Sequence, residues 1–294
     1  MNGFLIIDKP EGWTSFDIVA KVRRITGIKK IGHTGTLDPM ATGVMVLMLG
    51  RAAKLLNYLQ NTDKRYTASV KLGIRTDTLD KTGRVKAASE KRANAEEIKR
   101  ELINFTGEIE QIPPMYSAVK KDGIRLYDLA RQGKEIKREK RRVTIYNINL
   151  IMFDEPNQRL VLDVECSSGT YIRTLADDIG ERLGTYAYLE ALRRTSACGF
   201  DETVSVKIDE FDETDPLKNV IAVDAAFENY SPIYVSAAQS LRLINGGWLD
   251  INRVRIENGS FSQIVRIYDQ EGFLGLGKAD IVNNIIKPAC LIRI

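Results

Sequence analysis

Phe4-Leu5-Ile6-Ile7 is an unbroken apolar run ending in the turn Lys9-Pro10-Glu11-Gly12, and it predicts a short strand. Ile18, Val19, Val22 and Ile25 follow at helical spacing, with Thr14 or Ser15 available as cap and Gly27 as stop. The run from Val44 to Leu49 predicts a buried strand, and the stretch from Arg51 to about Leu59 a helix. Tyr66, Ala68, Val70, Leu72 and Ile74 alternate with polar residues, the mark of a half-buried strand, before the turn-rich RTDTLDKTGR of residues 75–84. Asn94 and Glu97 form a capping box for a helix reaching Phe105.

Residues 112–142 pass from a Pro turn through a Gly turn to a short helix and then a basic run; strands are expected at 143–153 and 160–166. Gly169-Thr170 opens a helix with Ile172, Leu175, Ala176, Ile179 and Leu183 on one stripe. The acidic stretch 201–228 carries Asp215-Pro216, the best boundary signal. Beyond about 232, short strand-like pieces separated by Gly246, Gly247, Gly259, Gly272, Gly275 and Gly277 suggest a compact β-rich module. Strands and helices interleave without a regular βαβ order. The expectation is an α+β fold, a mixed and mostly antiparallel sheet with flanking helices over 1–230 and a small β-rich module over 231–294.

Composition narrows the class. The 294 residues suffice for one large domain or a domain plus a small module, and no run of 18 apolar residues is present to span a bilayer. The N-terminus lacks the basic region of a secretory signal. Cys166, Cys198 and Cys290 are odd in number and widely spaced, which argues for reduced thiols in a cytosolic protein and against a zinc knuckle. Net charge is +4, but residues 1–150 hold 29 Lys and Arg against 17 Asp and Glu, whereas residues 151–294 are acidic. A basic half on a molecule that is not basic throughout points to a polyanion, nucleic acid above all.

Several motifs carry no chemistry. GFLGLGKA (272–279) misses the P-loop pattern because Ala279 replaces its hydroxyl residue and too little chain follows to build the site, so a glycine-rich β-turn is expected there. Asp77 and Asp80 resemble magnesium ligands, but within RTDTLDKTG such residues more often cap turns. No G-x-S-x-G elbow accompanies His33, the one histidine, so a serine or cysteine hydrolase is disfavoured. What stands out is GHTGTLDPMATG (32–43). Gly32, Gly35 and Gly43 permit unusual backbone angles and Pro39 fixes φ beside Asp38, so a carboxylate can be held in place before a substrate arrives. An Asx-turn role for Asp38, a core role for Tyr66 and a loop role for His33 fit the same residues.

GHTGTLDPMATG closely resembles the catalytic motif of the TruB family, bacterial synthases that isomerise a T-arm uridine of tRNA to pseudouridine. IIDKPEGWTS, DKRYTASVKLGIRTDTLDKTG, PPMYSAVKKDGIRLYDLAR, CSSGTYIRTLADDIG and LRRTSACGF resemble further family segments in the same order, together covering roughly residues 3–200. The resemblance implies a pseudouridine synthase fold followed by a PUA-like RNA-binding module. It implies Asp38 as nucleophile, paired with Arg173; Tyr66 stacking on the target base; Tyr171 and Leu192 lining the uridine pocket. His33 would press into the RNA where the base leaves its stack, and Lys9-Pro10 would support the site. An arginine neighbour typically lowers a carboxylate pKa by ~1–3 units, opposing the effect of burial. The reaction detaches uracil from C1′ and rejoins it through C5 at uridine-55, without cofactor or metal. A binding face built within one chain needs no partner, so a monomer acting on tRNA without guide RNA, protein partner or membrane is expected.

Overall fold

The first apolar run forms β1 (Gly3–Lys9) and the helical pattern after it forms α1 (Ser15–Thr26). Thr14 is the cap: its hydroxyl accepts from the Asp17 N–H while the Asp17 carboxylate accepts from the Thr14 N–H, and Gly27 closes the helix at φ 68°. The computed structural model describes residues 1–60, 62–117, 119–121, 123–211, 214–256 and 262–293. In it β2 (Ile31–His33) leads through a loop to β3 (Ala41–Leu49). The helix expected over 51–59 is a 3-10 helix, Gly50–Tyr58, which buries Ala52 and Leu55.

The chain continues through β4 (Lys64–Leu72), the hairpin β5 (Ile74–Thr76) and β6 (Val85–Ala88), α2 (Ala95–Ile103) and β7 (Gly107–Gln111). A small ribbon, β8 (Lys120–Lys121) and β9 (Ile124–Arg125), precedes α3 (Leu126–Arg131). Then come β10 (Arg141–Asp154), β11 (Arg159–Cys166), α4 (Ile172–Leu183), β12 (Ala187–Ala197), β13 (Phe200–Asp201) and β14 (Val206–Lys207).

These strands make one ten-stranded sheet in the order β14-β1-β3-β12-β4-β11-β10-β7, with β2 beside β3 and β13 beside β12. Among the described residues the β1–β14 and β3–β12 pairs are parallel and the other pairs of this sheet are antiparallel. The hydropathy pattern gives no strand over 187–197, yet β12 sits in the middle of the sheet. Its Ala, Leu, Glu and Arg content favours helix, and bulges between Leu189 and Ala191 and between Arg194 and Ser196 break its alternation. Pairing with β3 and β4 overrides that local preference.

β3 reads as a continuous apolar run because both of its faces are covered. Met45, Leu47 and Leu49 pack with Ile18, Val19 and Val22 of α1, while Val44, Val46 and Met48 pack with Phe4, Ile6, Phe227 and Leu276. Farther along the sheet, α2 and α4 cover β4, β11 and β12 through Ile98, Leu102, Leu175 and Ile179.

A second, six-stranded sheet opens at Ser231: β15 (Ser231–Tyr234), α5 (Ala237–Ile244), β16 (Leu249–Asp250), β17 (Arg255–Ile256), β18 (Ile264–Asp269), β19 (Gly272–Asp280) and β20 (Ile285–Leu291). Its order is β16-β20-β19-β18-β15-β17. GFLGLGKA is not the expected turn: it runs along β19, paired on both sides, and a Cβ on Gly275 would collide with the Cys290 carbonyl of β20. Gly259 lies outside the described residues. Upstream of Ser231, Phe211, Val220, Val223 and Phe227 pack onto the first sheet, so the acidic stretch around Asp215-Pro216 is no free linker. Tyr230 Oη donates to the Tyr58 carbonyl at 2.8 Å, and Leu276 and Ile292 join the first sheet's core, docking one sheet on the other.

Candidate active site

The loop between β2 and β3 is fastened from below by the segment that follows β1. Ser15 Oγ donates to the Leu37 carbonyl at 3.2 Å and accepts from the Leu37 N–H at 2.9 Å; the Gly12 N–H donates to the Pro39 carbonyl at 2.8 Å. Lys9 is fully buried and its ammonium donates to the carbonyls of Pro10, Trp13 and Pro39 at 2.8, 2.6 and 3.3 Å. The two segments are thereby stitched together on both sides of Asp38. Burial lowers the Lys9 pKa to about 8 despite the nearby Asp38 carboxylate.

Of the three glycines expected to take unusual angles, only Gly43 does, at φ 99°. It faces β12 so closely that a Cβ would collide with the Arg194 carbonyl oxygen. Gly32 is ordinary strand within β2. Gly35 provides room instead: a Cβ there would stand 3.2 Å from Lys64 Cε.

Arg173 arrives from the first turn of α4, after the Gly169 turn at φ 88°. Gln111 brackets Tyr171, accepting from its N–H at 3.0 Å and donating to its carbonyl at 3.3 Å, which fixes where the helix begins. Arg173 Nε lies 2.9 Å from Asp38 Oδ2 and Nη2 donates to Asp38 Oδ1 at 3.1 Å. Nη2 also donates to the Tyr116 carbonyl at 2.9 Å, and Nη1 lies 3.5 Å from Asp80 Oδ2. One buried guanidinium therefore spans two carboxylates. Asp80 Oδ1 is itself held by the Thr82 N–H and hydroxyl and by the Thr78 hydroxyl, and the Asp77 carboxylate accepts from the Arg84 N–H. Both acids cap turns.

Desolvation raises the Asp38 pKa above its ordinary value; Arg173 opposes this and Asp80 adds to it. The Asp38 side chain is 34% exposed and opens onto a cavity of about 430 Å³. That cavity is lined by Asp38, Tyr66, Tyr171, Arg173 and Leu192 together with Lys64. Lys9 and His33 are not in its lining: Lys9 lies beneath the loop, and His33 stands half-buried at the end of β2. Burial and then Arg194 lower the His33 pKa, and its Nδ1 is buried without a hydrogen-bond partner.

Three residues have a place in this neighbourhood that the sequence does not reveal; Lys64, which its basic neighbour Arg65 suggests as an exposed contact for the RNA backbone, is instead buried against the cavity. Asp80 is legible only as a turn cap. Lys64 shares the inward face of β4 with Tyr66, so extending the alternation back by one step places it inside. Arg194 is fully buried opposite Tyr66, and two adjacent arginines in a segment with no strand signal read as surface. Burial raises the Tyr66 pKa, with the Arg194 guanidinium working against it.

The fold has known counterparts. The fold is that of the pseudouridine synthases: it matches the crystal structure of a Cbf5-Nop10-Gar1 complex with a TM-score of 0.70 and 25% identity, over 94% of this chain and 78% of that one. Residues 23–172 match the N-terminal domain described as TruB family pseudouridylate synthase, and residues 173–221 match the tRNA pseudouridylate synthase B C-terminal domain. The tRNA pseudouridine synthase B of Clostridium perfringens (strain 13 / Type A) is 43% identical over 282 residues, 95% of this chain and 96% of its own. That of Clostridium acetobutylicum is 42% identical over 278 residues, 94% and 95% of the two chains. The chain belongs to the TruB family.

Proposed function

We propose that this protein isomerises uridine to pseudouridine in the T-arm loop of tRNA, at position 55, with Asp38 as nucleophile and without a cofactor. The observation that carries the proposal is the Asp38–Arg173 pair at the edge of a cavity that also presents Tyr66, Tyr171 and Leu192. Isomerisation redistributes bonds within one nucleoside, so the residues have three tasks: attack, retention of the loose base, and exclusion of water. Asp38 reaches its position through a stitched loop rather than on the substrate's arrival. Arg173 favours its charged, nucleophilic form. Tyr66 offers a ring for stacking on uracil, worth ~1–3 kcal/mol, between the walls formed by Tyr171 and Leu192.

A stacked uridine must leave its RNA arm to reach this cavity, at a cost of a few kcal/mol. His33, at the head of the loop, fills the gap in the stack. Lys29, Lys30, Lys120, Lys121, Arg141 and Arg142 are exposed and take the phosphates of the arm, and the second sheet serves as a PUA-like RNA-binding module. Lys9-Pro10 keeps the loop in register. The chain acts as a monomer on tRNA without guide RNA, and no described helix is long and apolar enough to cross a membrane.

The test is incubation of the purified protein with an unmodified tRNA transcript, followed by pseudouridine mapping. Conversion of the T-arm uridine is expected for the natural sequence, and RNA binding without conversion for Asp38→Asn. A fully active Asp38→Asn, or a transcript left unmodified by the natural sequence, would end the proposal.

A further inference from the structure

Two cations lie beside Tyr66, and among the described residues neither is in ion-pair contact with a carboxylate. Arg194 is its partner across the β12–β4 register and is shut off from solvent; Lys64 stands two residues before it on the same face of β4, 9% exposed. Arg194 Nε donates to the Val44 carbonyl at 2.6 Å and Nη2 to the Gly35 carbonyl at 3.2 Å, while Nη1 is buried without a partner. Lys64 Nζ donates to the Thr62 carbonyl at 3.2 Å, and the residue lines the cavity that holds Asp38. Among the described residues neither cation forms an ion pair.

Burial and the neighbouring Arg194 outweigh the pull of Asp63 on Lys64 and lower its pKa. Asp38 is engaged by Arg173, and Asp63 accepts from the Tyr146 hydroxyl. Lys9 and His33 add positive or neutral groups, and the Cys166 thiol is pushed up to about 11 by burial, so it stays protonated. Burying an uncompensated charge disfavours the folded state, and preorganised charge of this kind is worth most where a substrate develops the opposite sign.

We infer that Lys64 and Arg194 stabilise the negative charge that develops on uracil when its bond to the ribose breaks, Lys64 by contact with the base and Arg194 as a positioning residue acting through Tyr66. The inference rests on the proposed synthase reaction. As the C1′–N1 bond breaks, its electron pair remains on N1 and spreads to O2 and O4, while C1′ makes up its valence at Asp38. When C5 bonds to C1′ the carboxylate is released, and the C5 proton is finally exchanged for one on N1. Between those events the base carries the negative charge that Asp38 has given up. A phosphate is the poorer candidate, because the two cations stand on the side of the ring that stacks on the base, whereas the exposed lysines and arginines are outside the lining of this cavity.

The experiment compares single-turnover glycosidic-bond cleavage in a T-arm stem-loop carrying uridine or 5-fluorouridine at the target. Fluorine withdraws electrons and makes the base a better leaving group, so it needs less help from the protein. Lys64→Met should slow cleavage about 100-fold with uridine and less than about tenfold with 5-fluorouridine, with the RNA Kd within about twofold of the natural sequence. Lys64→Arg, which keeps the charge, should recover most of the rate. Equal slowing on both substrates, or weaker RNA binding with unchanged cleavage, overturns the inference. Should Lys64→Met not fold, as judged by circular dichroism, Lys64→Gln set against Lys64→Arg makes the same comparison. Failure of the natural sequence to modify either RNA would instead remove the synthase reading itself.

Discussion

Gly43 presses its Cα against the main chain of Arg194, at φ 99°, where a Cβ would strike the Arg194 carbonyl oxygen. The contact joins β3 to β12, one of two parallel pairs in the ten-stranded sheet among the described residues. It therefore sets the distance between the loop that carries Asp38 and the strand that carries Leu192 and Arg194. Gly43→Ala meets both a disfavoured backbone angle and a rigid obstacle. It should cost about 2–4 kcal/mol of stability and lower the Tm. Thermal denaturation checks this, and an unchanged Tm would show that β12 moves aside freely.

Arg173 divides its guanidinium between Asp38 and Asp80, so their charges oppose each other across it. Asp80 raises the Asp38 pKa and Arg173 lowers it. If Asp38 is the nucleophile, as proposed, attack requires the carboxylate and the rate should rise with pH through the Asp38 pKa. Asp80→Asn keeps the Oδ1 acceptor for Thr78 and Thr82 but removes the charge, and should move this acid limb to lower pH. It should also slow the plateau by about 10- to 100-fold through a less firmly held Arg173. Arg173→Met should move the limb to higher pH. Single-turnover rates across the acid range measure both, and shifts of the same sign in the two variants would contradict the bridging role.

How much of this was legible in the sequence differs residue by residue. The loop around Asp38 declared itself through Gly, Pro and the apolar run of β3, because constrained backbone and two-sided burial leave marks in composition. Alternation along β4 turned Tyr66 inward without saying whether it faced core or cavity. The Arg173 partnership came from family resemblance, since a contact across 135 positions leaves no local trace. β12 was illegible for two physical reasons: its residues favour helix, and its bulges erase the period of two. With the strand went the recognition that Arg194 is internal, since a charged side chain is expected at the surface unless its strand is known to be central.

Lys9 connects stability to pH in the opposite direction from a salt-bridged lysine. Its folded pKa of about 8 lies below the ordinary 10.5, so between these values the unfolded chain binds more protons. Stability should then rise as pH increases from about 8 towards about 10.5, by roughly 1–3 kcal/mol, relative to a variant lacking the group. Lys9→Met is that variant. It also takes the ammonium donor away from the carbonyls of Pro10 and Trp13, leaves Pro39 with the Gly12 N–H alone, and loosens the Asp38 loop. Urea denaturation of both proteins across this range gives the difference, and a difference that is flat or falls with pH would show that Lys9 does not titrate as its burial requires.

The basic surplus of residues 1–150 has its own measurable signature. Lys29 and Lys30 are exposed immediately before β2, on the approach to His33 and the loop that carries Asp38, and form no ion pair among the described residues. If each meets a phosphate of the T-arm, binding releases one condensed counterion per contact. Replacing both by Ala should reduce the magnitude of the slope of log K against log salt by about 0.7–0.9 per lysine. Single-turnover conversion at saturating protein should be unchanged, since neither side chain approaches the cavity that contains Asp38 and Tyr66. Titrations of a T-arm stem-loop at several salt concentrations would separate this from a loss of fold, which would lower the saturating rate as well. A slope identical to that of the natural sequence would place the RNA on another face of the molecule.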